Sequence, residues 1–210
     1  MQVPYRLPGS QAVQWVDLFT RMAFERIVFL DGEIDDNTAN EIVALLLYLN
    51  SEDATKPIYL YLNSPGERMG RGVSGLAASM AIYDTMQYIK APVHTICMGM
   101  VASSAVMLLS SGTKGYRLSL PNAEIVLSPQ YGRTGGQATD ILVDAKKVLA
   151  DRAMFIEVLS ANTGQTPEKL SKDLDRRFYL TAEAAKEYGL IDRVLESPKD
   201  LPKQLPSLVS

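Results

Sequence analysis

Ser103 is the residue whose neighbours suit it best to chemistry. It stands in Gly99-Met100-Val101-Ala102-Ser103-Ser104-Ala105, where a β-rich run gives way to a helical one. Small neighbours there let backbone approach a bound group, and a serine on such a turn presents its hydroxyl beside the first helical amides. The arrangement suits nucleophilic acyl transfer; a plain helix N-cap is the alternative. A serine nucleophile also needs a base, and the chain has one histidine, His94, and one cysteine, Cys97. One of each excludes zinc fingers, multi-histidine metal centres and an intramolecular disulfide. Carboxylate-only metal sites stay open, but nothing in the sequence points to one. His94 begins the strand whose far end feeds the Ser103 turn, and five extended residues set it ~16 Å from that end. A general base must lie within ~3 Å of the hydroxyl, so His94 is not expected to serve Ser103 of its own subunit.

Gly70-Arg71-Gly72-Val73-Ser74-Gly75 matches the G-x-G-x-x-G dinucleotide fingerprint, but its context fails. Seven residues separate Leu62 from Gly70 where the first glycine should follow the strand directly, and no acidic residue lies ~20 positions past the last glycine to hold a ribose. The segment reads as a glycine-rich insertion or helix start, and no cofactor is expected. The 210 residues are 47% apolar with net charge −3, which fits one self-supporting domain and gives none of the basic footprint nucleic acid requires. No apolar stretch approaches the ~20 residues of a membrane span. Pro4 and Pro8 interrupt the place of a signal-peptide core, so a cytoplasmic protein is expected.

The elements that must position Ser103 follow from periodicity. Ile27–Leu30 reads as a strand ended by Asp31-Gly32, then a helix with caps among Asp35, Asp36 and Asn37 and apolar positions from Ile42 to Leu49. Pro57–Leu62 alternates as a strand and stops at the turn signature Asn63-Ser64-Pro65-Gly66, before a helix marked by Val73, Leu76, Met80, Tyr83 and Met86. Val93–Met98 is a third strand, turning at Gly99 into a helix over Ser103–Ser111. Three strand–helix units in succession imply an α/β fold with a mostly parallel sheet. Short strands are expected at Tyr116–Leu120 and Glu124–Leu127, then a polar loop, then a helix from Gln137 to about Thr163. At ~38 Å that helix exceeds what a compact domain needs, so it should project and pack on another subunit. Thr181 as N-cap, Gly189 past a helix end and a strand at Ile191–Leu195 close the fold, and the proline-containing tail 197–210 is expected to be loose.

Several ordered motifs resemble the proteolytic subunit of the Clp protease family. They are Glu25-Arg26-Ile27-Val28-Phe29-Leu30, Ile58 to Gly66, Gly99 to Ser103, Leu108 to Gly115, Leu120-Pro121-Asn122, Gln137-Ala138-Thr139-Asp140, Ala182-Glu183-Ala184 and Glu187 to Asp192. Together they cover roughly residues 12–195. The resemblance implies a crotonase-like spiral of βαβ units with a projecting handle at about 124–163, formed by the long helix plus a short strand. It also implies an N-terminal axial segment at 1–16, one domain over 17–196, and heptameric rings stacked around a chamber. An acyl-CoA enzyme of the crotonase type is disfavoured by the Clp-specific handle signature.

Carried over by position, the family's nucleophile falls on Ser103, its histidine on Ser128 and its aspartate on Arg177. The base and its orienting acid are therefore both replaced, and Arg177 sets positive charge where a triad needs negative. The oxyanion-hole region falls on Gly66, Glu67 and Ser104. There the family's second glycine is Glu67, expected to strain a positive φ and repel an oxyanion, and an insertion of about seven residues follows. A kept scaffold with a lost triad resembles the Clp protease-related (ClpR) subunits of cyanobacteria and plastids. The implied role is a non-catalytic subunit that joins active ClpP-type subunits in mixed heptameric rings; a serine peptidase with a base from elsewhere is the alternative. An AAA+ unfoldase of ClpC or ClpX type would dock on Tyr59, Tyr61, Tyr88, Ile96, Met98, Leu118, Leu120 and Leu195. Several of these, Ile96 and Met98 above all, could equally fill the core, whereas Tyr59 and Tyr61 read as surface aromatics favouring an interface. By family analogy the cyanobacterial cytosol is favoured over the plastid stroma.

Overall fold

A computed structural model describes residues 1–6, 13–67, 76–129, 132, 134–197 and 200. The Gly70–Gly75 motif and nearly all of the tail lie outside these. An antiparallel hairpin of β1 (Gln2–Arg6) and β2 (Val13–Asp17) opens the chain. It leads into α1 (Leu18–Phe24), whose first turn is capped where the Asp17 carboxylate accepts from Phe19 N at 2.9 Å. Periodicity gave no sign of these short elements.

Three strand–helix units follow as expected: β3 (Ile27–Ile34) and α2 (Asp36–Glu52), β4 (Ile58–Glu67) and α3 (Leu76–Tyr88), β5 (Val93–Ala102) and α4 (Ser104–Ser110). Asp35 caps α2 by accepting from Thr38 N at 2.9 Å. The three strands pair in parallel, each through the signal expected to end it. Asp31-Gly32, Asn63-Ser64 and Gly99 do not reverse the chain; they kink it within a strand. Register shifts fall between Asp31 and Glu33 and between Leu62 and Ser64, and Gly99 takes φ +71°. The irregularities sit at one level because Asn63 bridges all three strands. Its Nδ2 donates to Asp31 Oδ1 at 2.9 Å and its Oδ1 accepts from Met100 N at 3.1 Å. A Cβ at residue 99 would lie 2.6 Å from that Oδ1, so only glycine fits against the amide.

At this level the sheet forks. Below it, Thr95–Cys97 of β5 pair with β6 (Arg117–Ser119), and above it Met100–Ala102 pair with β7 (Glu124–Leu127), both in parallel. The helix α5 (Ala138–Thr163) and the short α6 (Pro167–Asp173) then lead to β8 (Phe178–Thr181), the one antiparallel strand of this sheet, beside β7. After α7 (Ala182–Tyr188), capped by Thr181 and ended at Gly189, β9 (Arg193–Val194) extends the lower arm beside β6.

Strand alternation separates two apolar regions. Ile58, Leu60, Leu62, Val93 and Cys97 point into the main core with the helices, and all of α4 is buried there. Burial pushes the Cys97 thiol up to about 12, leaving it unreactive. On α5 only the second half joins this core, through Phe155, Val158 and Leu159. Its first half carries exposed Ile141, Leu142, Val143 and Leu149, so the 26-residue helix, ~39 Å long, stands partly clear of the body.

Arg117 on β6 locks the lower arm. Its guanidinium is bidentate to Asp192, with contacts at 3.0 and 2.7 Å, and its Nη1 donates to the carbonyls of Ser110 and Asn162 at 3.2 and 2.9 Å. One buried cation thus joins β6, the approach to β9, α4 and α5. Arg117→Ala should lower stability by about 3–5 kcal/mol in urea unfolding, since it removes the cation from Asp192, leaving that carboxylate only the backbone amides of residues 115 and 117, and leaves two carbonyls unsatisfied. Arg117→Lys should rescue little, because a point charge cannot reproduce the fork. A loss below ~1 kcal/mol for the alanine variant would show that the lock is not needed.

Candidate functional site

Ser103 occupies the single residue between β5 and α4, at φ 51° and ψ −127°. Side chains rarely adopt positive φ, and here neighbouring backbone holds it: Ser103 N donates to Val126 O at 3.3 Å and Ser103 O accepts from Val106 N at 3.1 Å. The hydroxyl makes no cap bond to α4. It donates instead to Glu67 Oε1 at 2.8 Å, while Glu67 Oε2 accepts from Ser104 N at 3.1 Å. Gly66 makes this approach possible. It takes φ +95°, and a Cβ there would fall 2.6 Å from Ala102 O and 2.8 Å from Ser103 Cβ. With no side chain at 66, β4 lies directly on the serine turn and its last residue reaches across. Behind the turn, Ser79 Oγ donates to the buried Ser104 Oγ at 2.7 Å.

Gly66, Glu67, Ser103 and Ser104 are thus together, as expected, but one expectation for Glu67 needs correction. Positive φ falls on Gly66, so Glu67 carries no such strain. Its carboxylate is also bound by the turn's two donors.

Ser128 directly follows β7 and is 9% exposed. In the antiparallel ladder Val126 faces Tyr179 and Leu127 faces Phe178; Ser128 follows β7 and Arg177 precedes β8, each just beyond that last pair. The two positions assigned to base and acid thus flank the same end of the β7–β8 pair, and Ser103 N donates to β7 at Val126 O. They hold a hydroxyl and an exposed guanidinium. Neither can take a proton from Ser103 at neutral pH.

His94 sits nine residues before Ser103 on the same strand, up to ~30 Å away at ~3.3 Å per residue. It stacks on Tyr116 with ring centroids 4.0 Å apart, meets the edge of Tyr59, and leaves its buried Nδ1 without a hydrogen-bond partner. Burial, then the charge of Arg193, pushes its pKa down to about 4.

The second apolar region lies on this lower arm, on the sheet face opposite the main core. Tyr59, Ile96, Leu118 and Leu195 gather there with Ile27, flanked by half-buried Tyr61, Phe29 and Met22. Tyr61 stacks on Phe29 with centroids 5.4 Å apart. Five of the eight docking candidates thus share one cluster. Met98, half-buried, follows Ile96 on the same face of β5, and Leu120 lies exposed just past β6. Tyr88 stands apart at the end of α3, 83% exposed. Tyr59 is 3% exposed, so it packs in the cluster and is not the surface aromatic its alternation suggested.

Two positioning residues went unrecognised in the sequence. Asn63 carried only a turn signal. Arg26 gave none, yet its guanidinium donates to the carbonyls of Leu49, Asp53, Lys56 and Pro57 and so ties the end of α2 to the start of β4.

A mostly parallel α/β sheet of successive strand–helix units that ends a central strand in a strained serine turn has the strand–turn–helix serine junction found in serine-hydrolase scaffolds. Its particular kind is equally plain: the chain belongs to the Clp protease family, whose profile matches residues 10–198. ATP-dependent Clp protease proteolytic subunit 3 of Synechococcus sp. (strain CC9605) is 50% identical over 199 residues, covering 94% of this chain and 96% of its own length. Proteolytic subunit 2 of Prochlorococcus marinus (strain NATL2A) is likewise 50% identical over 199 residues, with the same coverage. No helix among the described residues is long and apolar enough to cross a membrane.

The depressed pKa of His94 has a consequence for acid stability. The unfolded side chain protonates near its ordinary 6.5 and the folded one only near 4, so its contribution is complete above pH ~6.5 and is lost as pH falls toward 4. At ~1.4 kcal/mol per pKa unit the loss is about 2–3 kcal/mol. His94→Phe should remove this part of the acid limb, read by urea unfolding at about pH 7.5 and about pH 4.5. An equal drop in both proteins would refute the assignment.

Proposed function

We propose that this chain is a non-catalytic subunit of an ATP-dependent Clp protease core, a ClpR-like member that joins active ClpP-type subunits in mixed heptameric rings. The observation that carries this reading is Ser128 at the end of β7, the strand whose Val126 O accepts from Ser103 N, with Arg177 just before the adjoining end of β8. With no imidazole within reach, Ser103 is an ordinary hydroxyl, and loss of a triad base typically costs ~10⁶-fold in rate. In this reading residues 1–16 form the axial segment, 17–196 the body and 124–163 the handle. The apolar half of the handle, Ile141, Leu142, Val143 and Leu149, then meets a subunit of the facing ring. The cluster around Tyr61, Ile96 and Leu118, with Tyr88 contributed by a neighbouring subunit, serves a docking AAA+ unfoldase. Cyanobacterial names among the relatives favour a cyanobacterial cytosol.

A second reading, a working serine peptidase, is favoured by one contact, the 2.8 Å bond from Ser103 Oγ to Glu67. A carboxylate is a weak base toward a hydroxyl.

A fluorophosphonate probe separates the two readings. The purified homo-oligomer should leave Ser103 unlabelled, while a co-expressed active relative should copurify with this chain and take the label on its own serine. Stoichiometric labelling of Ser103, abolished by Glu67→Gln, would establish the peptidase and end the silent-subunit reading.

A further inference from the structure

We infer that Glu67 is a built-in plug of the serine site: its carboxylate holds the Ser103 hydroxyl and the Ser104 amide together and keeps both from any outside ligand. The inference rests on reading Ser103 and Ser104 as the family's serine and oxyanion amide. It adds that the site is closed from within, whatever stands at positions 128 and 177.

Three features of the chain set this contact. Gly66 has no Cβ and lies against Ala102 O and Ser103 Cβ, so the strand carrying Glu67 runs onto the turn itself. The backbone of Glu67 is held by the β3–β4 ladder, where it pairs with Ile34, so the carboxylate is delivered by a strand end. The Ser103 side chain, held at positive φ, makes no cap bond to its own helix, which leaves its hydroxyl hydrogen to point at Glu67.

The chemistry of the contact opposes reaction in two ways. Ser103 turns its hydroxyl toward Oε1 at 2.8 Å, so the carboxylate stands against the nucleophile on the side an incoming carbonyl would have to approach. The Ser104 amide that would stabilise a developing oxyanion already donates to a full negative charge at 3.1 Å. A substrate oxyanion would have to displace this carboxylate and bear its repulsion. The same carboxylate therefore cannot serve as base for Ser103 without vacating the position the oxyanion needs. Restoring the base alone would not open the site.

A peptide boronic acid reads this directly on the assembled protein. When it adds, the Ser103 Oγ–B bond forms, the hydroxyl proton leaves to water, and no boron substituent is lost. The product is a tetrahedral anion with a boron-bound oxygen against the Ser104 amide. By native mass spectrometry the wild-type chain should take up no adduct. Glu67→Ala should take it up at concentrations lower by about tenfold or more, the order expected for freeing charge-assisted donors. Glu67→Gln, which keeps the size and an acceptor for Ser104 N, should stay closed, and Ser103→Ala combined with Glu67→Ala should lose the adduct. Equal uptake by wild type and Glu67→Ala would overturn the plug and leave the silent-subunit reading standing. Fluorophosphonate labelling of wild type lost in Glu67→Ala would make Glu67 a base and end both. Should Glu67→Ala fail to assemble, hydrogen exchange of the Ser104 amide in the wild type decides. Exchange slowed by about tenfold or more relative to an unstructured amide is expected, and exchange at the free rate would overturn the plug.

Discussion

Everything near the serine depends on the way Asn63 joins three strands. Its amide donates to β3 and accepts from β5 at the level where both leave regular register. The Met100 amide, beside the Gly99 kink, is satisfied there by the Asn63 side chain, which also ties itself to the Asp31 carboxylate. The upper parts of β4 and β5 can then converge until Gly66 touches the Ser103 turn. An ideal flat sheet would keep neighbouring strands ~4.8 Å apart to their ends, and the end of β4 would not fold over the turn. The fork is thus the means by which a parallel sheet brings a strand end, a helix start and a second strand pair around one hydroxyl.

The structure also separates two things often treated as one. The backbone around the turn keeps three features: the positive φ at Ser103, the amide of Ser104 behind it, and the paired ends of β7 and β8. The side chains just past those paired ends are a hydroxyl, Ser128, and a guanidinium, Arg177. Strain at Ser103 persists because backbone hydrogen bonds on both sides hold it, and those do not depend on catalysis.

The sequence made much of this legible. Apolar spacing located all three central helices, the Thr181 cap and the length of α5, because those signals are local and repeat over several turns. The long strands were cut short for a physical reason. Gly32, Asn63-Ser64-Pro65-Gly66 and Gly99 have the composition of turns, and nothing local distinguishes a chain reversal from a kink braced by an asparagine side chain 32 or 37 residues away. The hairpin, α1 and α6 are too short for periodicity to stand out, and two-strand alternation cannot tell a covered face from an exposed one, which is why Tyr59 was misplaced. Spacing brought Glu67 to the oxyanion region but said nothing of where its carboxylate would point. That depended on the missing Cβ of Gly66.

The fork leaves β5 as the one strand common to both arms. Its first half lies in the face with His94 and Ile96, and its last residue leads into the serine turn. Any sliding of that strand along its own axis is shared by the two ends, so pressure on the tyrosine-lined face and the fit of Glu67 over Ser103 are mechanically continuous.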